Sequence, residues 1–154
     1  MATPDDDANT NTNTGTPRAS GGCDCGAVRY EVTGPLRSVI VCHCGQCQRT
    51  HGAPAPYSGT KKRHLHLVKD DGLRWYQSST FARRGFCGAC GASLFWEAFD
   101  EEYISVAAGT IDVPSGLKTI GHIFMGDRGD WYDVDDGLPT YPQSSNGELD
   151  GDNS

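Results

Sequence analysis

Residues 41–49 read Val-Cys-His-Cys-Gly-Gln-Cys-Gln-Arg, which puts the thiols of Cys42, Cys44 and Cys47 within six residues. One buried cysteine serves as a small hydrophobe. Three at C-x-C-x2-C spacing let a single tight turn aim three sulfurs at one point. A zinc ion takes four ligands in a tetrahedron, with sulfur at about 2.3 Å. Three protein ligands leave one corner open, the feature that separates catalytic from structural zinc sites. The other four of the seven cysteines form two pairs, Cys23-Asp-Cys25 and Cys87-Gly-Ala-Cys90, which together supply a closed set of four thiolates. Cys87 to Gly91 is a Cys-x-x-Cys-Gly knuckle, and Cys23-x-Cys25-Gly26 ends the same way. In both, the glycine supplies a left-handed backbone that a side chain resists. The expectation is two Zn2+ sites, one enclosed by protein and one a ligand short.

Other uses of these thiols compete. Disulfides are chemically open to them, but the count of seven is odd and the N-terminus shows no basic-then-apolar secretion pattern, which favours a reducing compartment. An iron–sulfur cluster normally takes four thiolates, one more than the triplet offers. His43 or His51 could fill the fourth corner and close the open site. In an extended run His43 points away from both neighbouring cysteines. His51, four residues beyond Cys47, is the better placed of the two.

These residues need a scaffold. At 154 residues and 36% hydrophobic content the chain suits one domain. No apolar run approaches the roughly 18 residues that cross a bilayer. A soluble, cytoplasmic protein with no membrane partner is expected. The formal charge of −7 is carried mostly by the ends, through Asp5, Asp6 and Asp7 at one and Glu148, Asp150 and Asp152 at the other. Acidic, polar ends do not resemble the basic face that nucleic acid requires. Residues 1–20 and 143–154 hold almost nothing to bury and are expected to be disordered tails. The domain proper is then residues 21–142.

Within it, short runs alternate between apolar and polar. Ala27–Val32 and Leu36–Val41 read as strands, the second delivering the backbone into Cys42. Gln48–His51 suggests a helical turn. Pro54 and Pro56 argue for an edge or loop rather than an interior strand. His64–Val68 reads as a strand, with His64 and His66 on its solvent face beside Lys61, Lys62 and Arg63. Leu73–Gln77, Thr80–Phe86, Ala92–Glu97, Tyr103–Ala108 and Ile120–Met125 follow, and a short helix is possible around Trp131. About eight short strands and 20 glycines predict a mainly β architecture. A zinc joining Cys23 and Cys25 to Cys87 and Cys90 would tie together distant parts of a small domain and contribute to its folding.

Gly22-Cys23-x-Cys25-Gly26-Ala27-Val28-x-Tyr30, Cys42-His43-Cys44-x-x-Cys47-Gln48-Arg49 and Arg84-x-Phe86-Cys87-x-x-Cys90-Gly91 together resemble the glutathione-dependent formaldehyde-activating enzyme family, which also includes centromere protein V. Gly109-x-x-Asp112-x-Pro114, His122-Ile123-Phe124 and Gly137-Leu138-Pro139 extend the likeness, so that it covers roughly residues 21 to 142. The resemblance implies conical, tent-like β-sheets similar to those of methionine sulfoxide reductase B. It also implies a structural zinc on Cys23, Cys25, Cys87 and Cys90, and a second zinc on Cys42, Cys44 and Cys47 where a substrate thiol binds.

The activity so implied is a carbon–sulfur lyase or synthase that joins glutathione and formaldehyde into S-hydroxymethylglutathione. An incoming thiol on the open zinc would be deprotonated and add to the aldehyde carbon. Glutathione's two carboxylates call for cations, and Arg49 and Lys61–Arg63 are the sequence's candidates, although a solvated turn also explains the basic triplet. Asp112 is a candidate acid–base group or a turn former. His122 reads as a packed core residue, and Trp75, Trp96 and Trp131 as core or rim aromatics. Two rival functions stay open: a lyase for another small thiol or thioether adduct, and a non-catalytic zinc module that binds a partner.

Overall fold

The computed structural model describes residues 17–149. Of the expected tails, 1–20 and 143–154, residues 1–16 and 150–154 lie outside the described residues. The fold is mainly β, as the alternation predicted, and is built from two sheets. Among the described residues ten strands run in chain order: β1 (Ala19–Gly22), β2 (Arg29–Val32), β3 (Val39–Cys42), β4 (Ala55–Lys61), β5 (Leu65–Lys69), β6 (Leu73–Gln77), β7 (Ala82–Cys87), β8 (Ser93–Ala98), β9 (Tyr103–Ala107) and β10 (Thr119–Ile123). One short helix, α1 (Gly45–His51), interrupts them after β3. The large sheet has the order β10-β3-β4-β9-β8-β7-β6, and the small one β1-β2-β5. All pairings are antiparallel except β10 on β3, which runs parallel and puts Ile123 beside Cys42.

The main core lies between the sheets. Tyr30 and Val32 from the small sheet, with Val28 just before it, meet Leu94, Phe95, Ile104 and Val106 from the large one, all nearly or wholly buried. Tyr30 and Phe95 pack edge to face with centroids 5.3 Å apart, a favoured aromatic geometry. Cys23 and Cys87 belong to the same cluster, so one thiol group forms part of the core itself.

Several boundaries differ from the sequence expectations. Ser20, placed in the N-terminal tail, pairs with Glu31 in β1, because a short polar segment can still complete a ladder with its backbone. At the other end Ser145 and Leu149 are buried, and Leu149 covers Gly121 of β10. Pro56 lies inside the large sheet, not at an edge or in a loop. The β9 pairing of β4 ends at Tyr57, so Pro56 carries a ladder on its β3 side alone and its missing N–H costs nothing on the other. His64 falls in a 3-10 turn at Lys62–His64 ahead of β5, where its ring packs over Gly34 rather than facing solvent. A 3-10 turn at Met125–Asp127 precedes Trp131 in place of a helix around it.

Candidate metal centres

The first thiol group sits where two loops close over the end of the core. Cys23 and Cys25 come from the β1–β2 connection, and Cys87 and Cys90 from the knuckle between β7 and β8. Gly26 and Gly91 both take positive φ, +85° and +82°, as the two Cys-Gly endings predicted. The Cys87 carbonyl accepts from the Gly91 N–H at 2.7 Å, closing the knuckle. All four sulfurs lie within 4.8 Å of one another, with Cys23–Cys25 at 3.7 Å and Cys25–Cys87 at 3.8 Å. Four sulfurs about 2.3 Å from a common centre stand about 3.8 Å apart, so the spacing fits a tetrahedral metal. The Cys23 thiol is held down at about 6, where burial opposes the shift but the Val28 N–H and neighbouring thiols outweigh it. This group could hold a metal ion, and its donors suit zinc.

The second group is Cys42, Cys44 and Cys47, whose sulfurs also lie within 4.8 Å of one another. Cys42 ends β3, Cys44 is the N-cap of α1, and Cys47 is buried on its first turn. The Cys44 sulfur accepts from the Cys47 N–H at 3.3 Å, so capping the helix and folding the triplet are one event. Hydrogen bonds from Cys42 and Cys47 hold Cys44 down at about 2 as the thiolate. Cys42, which supplies one of those protons, is pushed far above its ordinary value. At Cys47 the Cys42 hydrogen bond pulls downward, but the Cys44 bond and burial leave the thiol raised. Three mutually close thiols sharing one negative charge are a donor set that a divalent cation would complete.

Neither histidine candidate enters the triplet. His43 is fully buried and turned away, its Nε2 2.9 Å from His122 Nδ1, while His122 Nε2 stands 2.7 Å from Asp136 Oδ2. His122 is therefore packed, as expected, and is also the middle of a polar chain. His51 Nε2 is 2.8 Å from the Tyr57 hydroxyl. Among the described residues no histidine nitrogen joins either sulfur group.

The triplet opens onto a cavity of about 500 Å³, within the usual size of a small-molecule site. Its cations are Arg37 and Arg84, not the expected ones. Arg49 is exposed outside the cavity wall. Lys61 and Arg63 pair with Glu102, and Lys62 with Glu97, away from the sulfurs. Arg84 is 5% exposed and reaches Cys47 Sγ at 3.6 Å, Gln46 Oε1 at 2.9 and 3.0 Å, and the Tyr57 hydroxyl at 3.3 Å. A sequence signal existed: Arg84 lies two residues from buried Ala82 on β7, in the inward register of a strand. Asp112 is outside the cavity and forms an ion pair with Arg29, which lowers its carboxyl and fits a structural role. Trp96 lines the cavity, whereas Trp75 stacks on Phe95 under the Arg83 guanidinium.

Arg84 can only donate, so the Tyr57 oxygen accepts from it and the Tyr57 hydrogen is directed to His51 Nε2. Burial keeps the Tyr57 phenol above its ordinary value and His51 below its own, which leaves both neutral. The wall thus holds a protonated hydroxyl next to a fixed cation and the three sulfurs.

Known proteins resemble the chain in sequence and in fold. The profile of the glutathione-dependent formaldehyde-activating enzyme family matches residues 18–127. A Schizosaccharomyces pombe protein, named an uncharacterized lyase, is 30% identical over 81 residues, 52% of this chain. The match spans 58% of that relative's length. The crystal structure of a Rhodobacter sphaeroides protein superposes with a TM-score of 0.53 at 26% identity, covering 65% of this chain and 98% of that one. Among the described residues no helix is long and apolar enough to cross a membrane.

Proposed function

The chain belongs to the glutathione-dependent formaldehyde-activating enzyme family, and on that premise we propose that it is a zinc-dependent carbon–sulfur lyase that joins and separates a glutathione-type thiol and formaldehyde. The observation that carries the reading is the thiol triplet at the wall of a cavity that also holds a buried arginine. Cys23, Cys25, Cys87 and Cys90 would hold a structural zinc, and Cys42, Cys44 and Cys47 a second one. When bound at the triplet, zinc supplies a positive charge that favours the thiolate form of a substrate thiol.

The chain's own residues do the rest. Arg84 fixes Cys47 and, as a cation, offsets negative charge gathered on the sulfurs. Its two bonds to Gln46 lock the start of α1 against β7, so the triplet is held by two separate elements. Tyr57 stays a neutral phenol in the cavity wall, its oxygen accepting from Arg84 and its hydrogen directed to His51. Trp96, Ile123 and Phe124 give the cavity an apolar surface beside the sulfurs. In the reaction the sulfur lone pair forms the C–S bond, the carbonyl π pair moves to oxygen, and that oxygen takes the proton the thiol gave up. The reverse breaks the same bond.

Glutathione and formaldehyde also combine without a catalyst, so the test must read rates. Exchange between free 13C-formaldehyde and S-hydroxymethylglutathione, followed by NMR with zinc-loaded protein, should accelerate with enzyme concentration. The acceleration should vanish in Cys47→Ser. Exchange no faster than in buffer defeats the proposal.

A further inference from the structure

We propose that the cavity beside Cys42, Cys44 and Cys47 takes thiol adducts of aldehydes bearing an apolar group, an alkyl chain of several carbons or a phenyl ring, and not only the adduct of formaldehyde. The proposal rests on the thiol-adduct reading of the triplet and names the carbonyl class that the site admits.

Apart from Arg84 and the Tyr57 hydroxyl, one stretch of the wall beside the sulfurs is apolar. Ile123 pairs with Cys42 across the parallel ladder, and Trp96, like Cys42 and Cys44, packs against the small buried cluster of Cys47, Ala55, Tyr57 and Ala107. Phe124 and Ile40 continue this surface, and Phe81 stands at the edge, 60% exposed although it lines the cavity. Formaldehyde brings one carbon and would leave this surface facing water. The peptide part of a glutathione-type thiol cannot use it either, because its amides and carboxylates need polar partners. The substituent on the carbon bonded to sulfur is the part of an adduct that would lie there.

Phe124 adds an independent observation. It takes φ 56° and ψ 38°, left-handed backbone that a bulky side chain resists and glycine accepts freely. The conformation is imposed by the Phe124 N–H donating to the Gln143 carbonyl at 3.0 Å and the Asp127 N–H donating to the Phe124 carbonyl at 3.1 Å. Strain of this kind gathers at ligand clamps. Here it places an aromatic residue in the cavity wall, next in sequence to the neighbour of Cys42.

The chemistry is unchanged by the larger group. Sulfur forms its bond to the aldehyde carbon, the π pair goes to oxygen, and oxygen takes the thiol's proton; the alkyl or aryl substituent neither gains nor loses electrons.

Isothermal titration of the zinc-loaded full chain with glutathione, S-methylglutathione and S-hexylglutathione tests the assignment. Each methylene withdrawn from water contributes up to about a fourfold gain. S-hexylglutathione is therefore expected to bind at least tenfold tighter than S-methylglutathione, and Phe81→Ser, a change at an exposed residue, should shrink that ratio severalfold. Equal affinity for the two S-alkyl ligands overturns the proposal whatever glutathione does, and so does an unchanged ratio in Phe81→Ser. If S-hexylglutathione binds tightly while glutathione gives neither heat nor formaldehyde exchange, the apolar pocket stands and the thiol-lyase reading falls.

Discussion

Replacing Cys87 by serine should cost this protein far more stability than replacing Cys47, and the structure sets the size of the difference. Cys87 and Cys25 are 62 residues apart in sequence and 3.8 Å apart at sulfur. A metal that joins them closes a loop whose entropy in the unfolded chain corresponds to about 4 kcal/mol by the relation used for cross-links. Cys87 is also fully buried among Val28, Leu94 and Phe95, where an unpartnered serine hydroxyl costs a further 1–3 kcal/mol or so. The sum, about 5–7 kcal/mol, rivals the whole stability of a small domain, roughly 5–15 kcal/mol. Cys42 and Cys47 are five residues apart. Their loop is worth about 2 kcal/mol by the same relation, and α1 already constrains it. At this chain length each kcal/mol moves Tm by about 2–4 °C. In excess zinc, thermal unfolding followed by circular dichroism should show Cys87→Ser melting at least about 10 °C lower or without a cooperative transition. Cys47→Ser should keep a cooperative transition within about 8 °C of the wild type, with one zinc fewer per chain. Equal losses in the two variants, or a Cys87→Ser that melts like wild type, would refute the division into one folding centre and one working centre.

Other outcomes follow from the same geometry. Arg84→Gln removes a charged donor from Cys47, an interaction worth about 1.5–3 kcal/mol; chelator competition should show the triplet's metal bound at least tenfold more weakly, and unchanged affinity argues against the role given to Arg84. At pH 7 Cys44 is already a thiolate while Cys42 and Cys47 hold their protons, so filling the triplet should release about two protons. Affinity at the triplet should accordingly rise with pH and fall toward acid. Calorimetry in buffers of different ionisation enthalpy, after the four-thiol site is filled, counts those protons, and a count of zero contradicts the shared-charge description. His122→Ala should lower Tm by roughly 2–12 °C while leaving metal content unchanged, because it strips His43 Nε2 of its partner when His43 Nδ1 has none among the described residues. Wild-type melting in that variant would show the buried chain to be dispensable.

The two sulfur groups were legible in the sequence because their geometry is mostly local. C-x-C-x2-C must turn tightly, and a knuckle glycine must take the left-handed conformation it does at Gly91. The direction of His43, away from both neighbouring cysteines, also followed from backbone period alone. Several statements that depended on a distant partner failed. Pro56 looked like an edge residue because its sequence cannot say that the β9 ladder stops at Tyr57. The segment after Pro142 looked like a tail because one leucine gives no pattern, yet Leu149 finds Gly121.

The same division separates what each level decided. Spacing and residue type marked out the thiol triplet and the two cysteine pairs as candidate metal ligands, since thiol chemistry and turn geometry act over a few residues; bringing the two pairs together across 62 residues is the work of the fold. Only the tertiary structure decided which cations face the triplet: it brought Arg84 38 residues across the chain to Gln46 and put Lys61, Lys62 and Arg63 on glutamates elsewhere. A charge acts through distance in space, and strand pairing between β7, β8, β9 and β4 sets that distance, so no local pattern around Arg84 or Lys61 could have contained it.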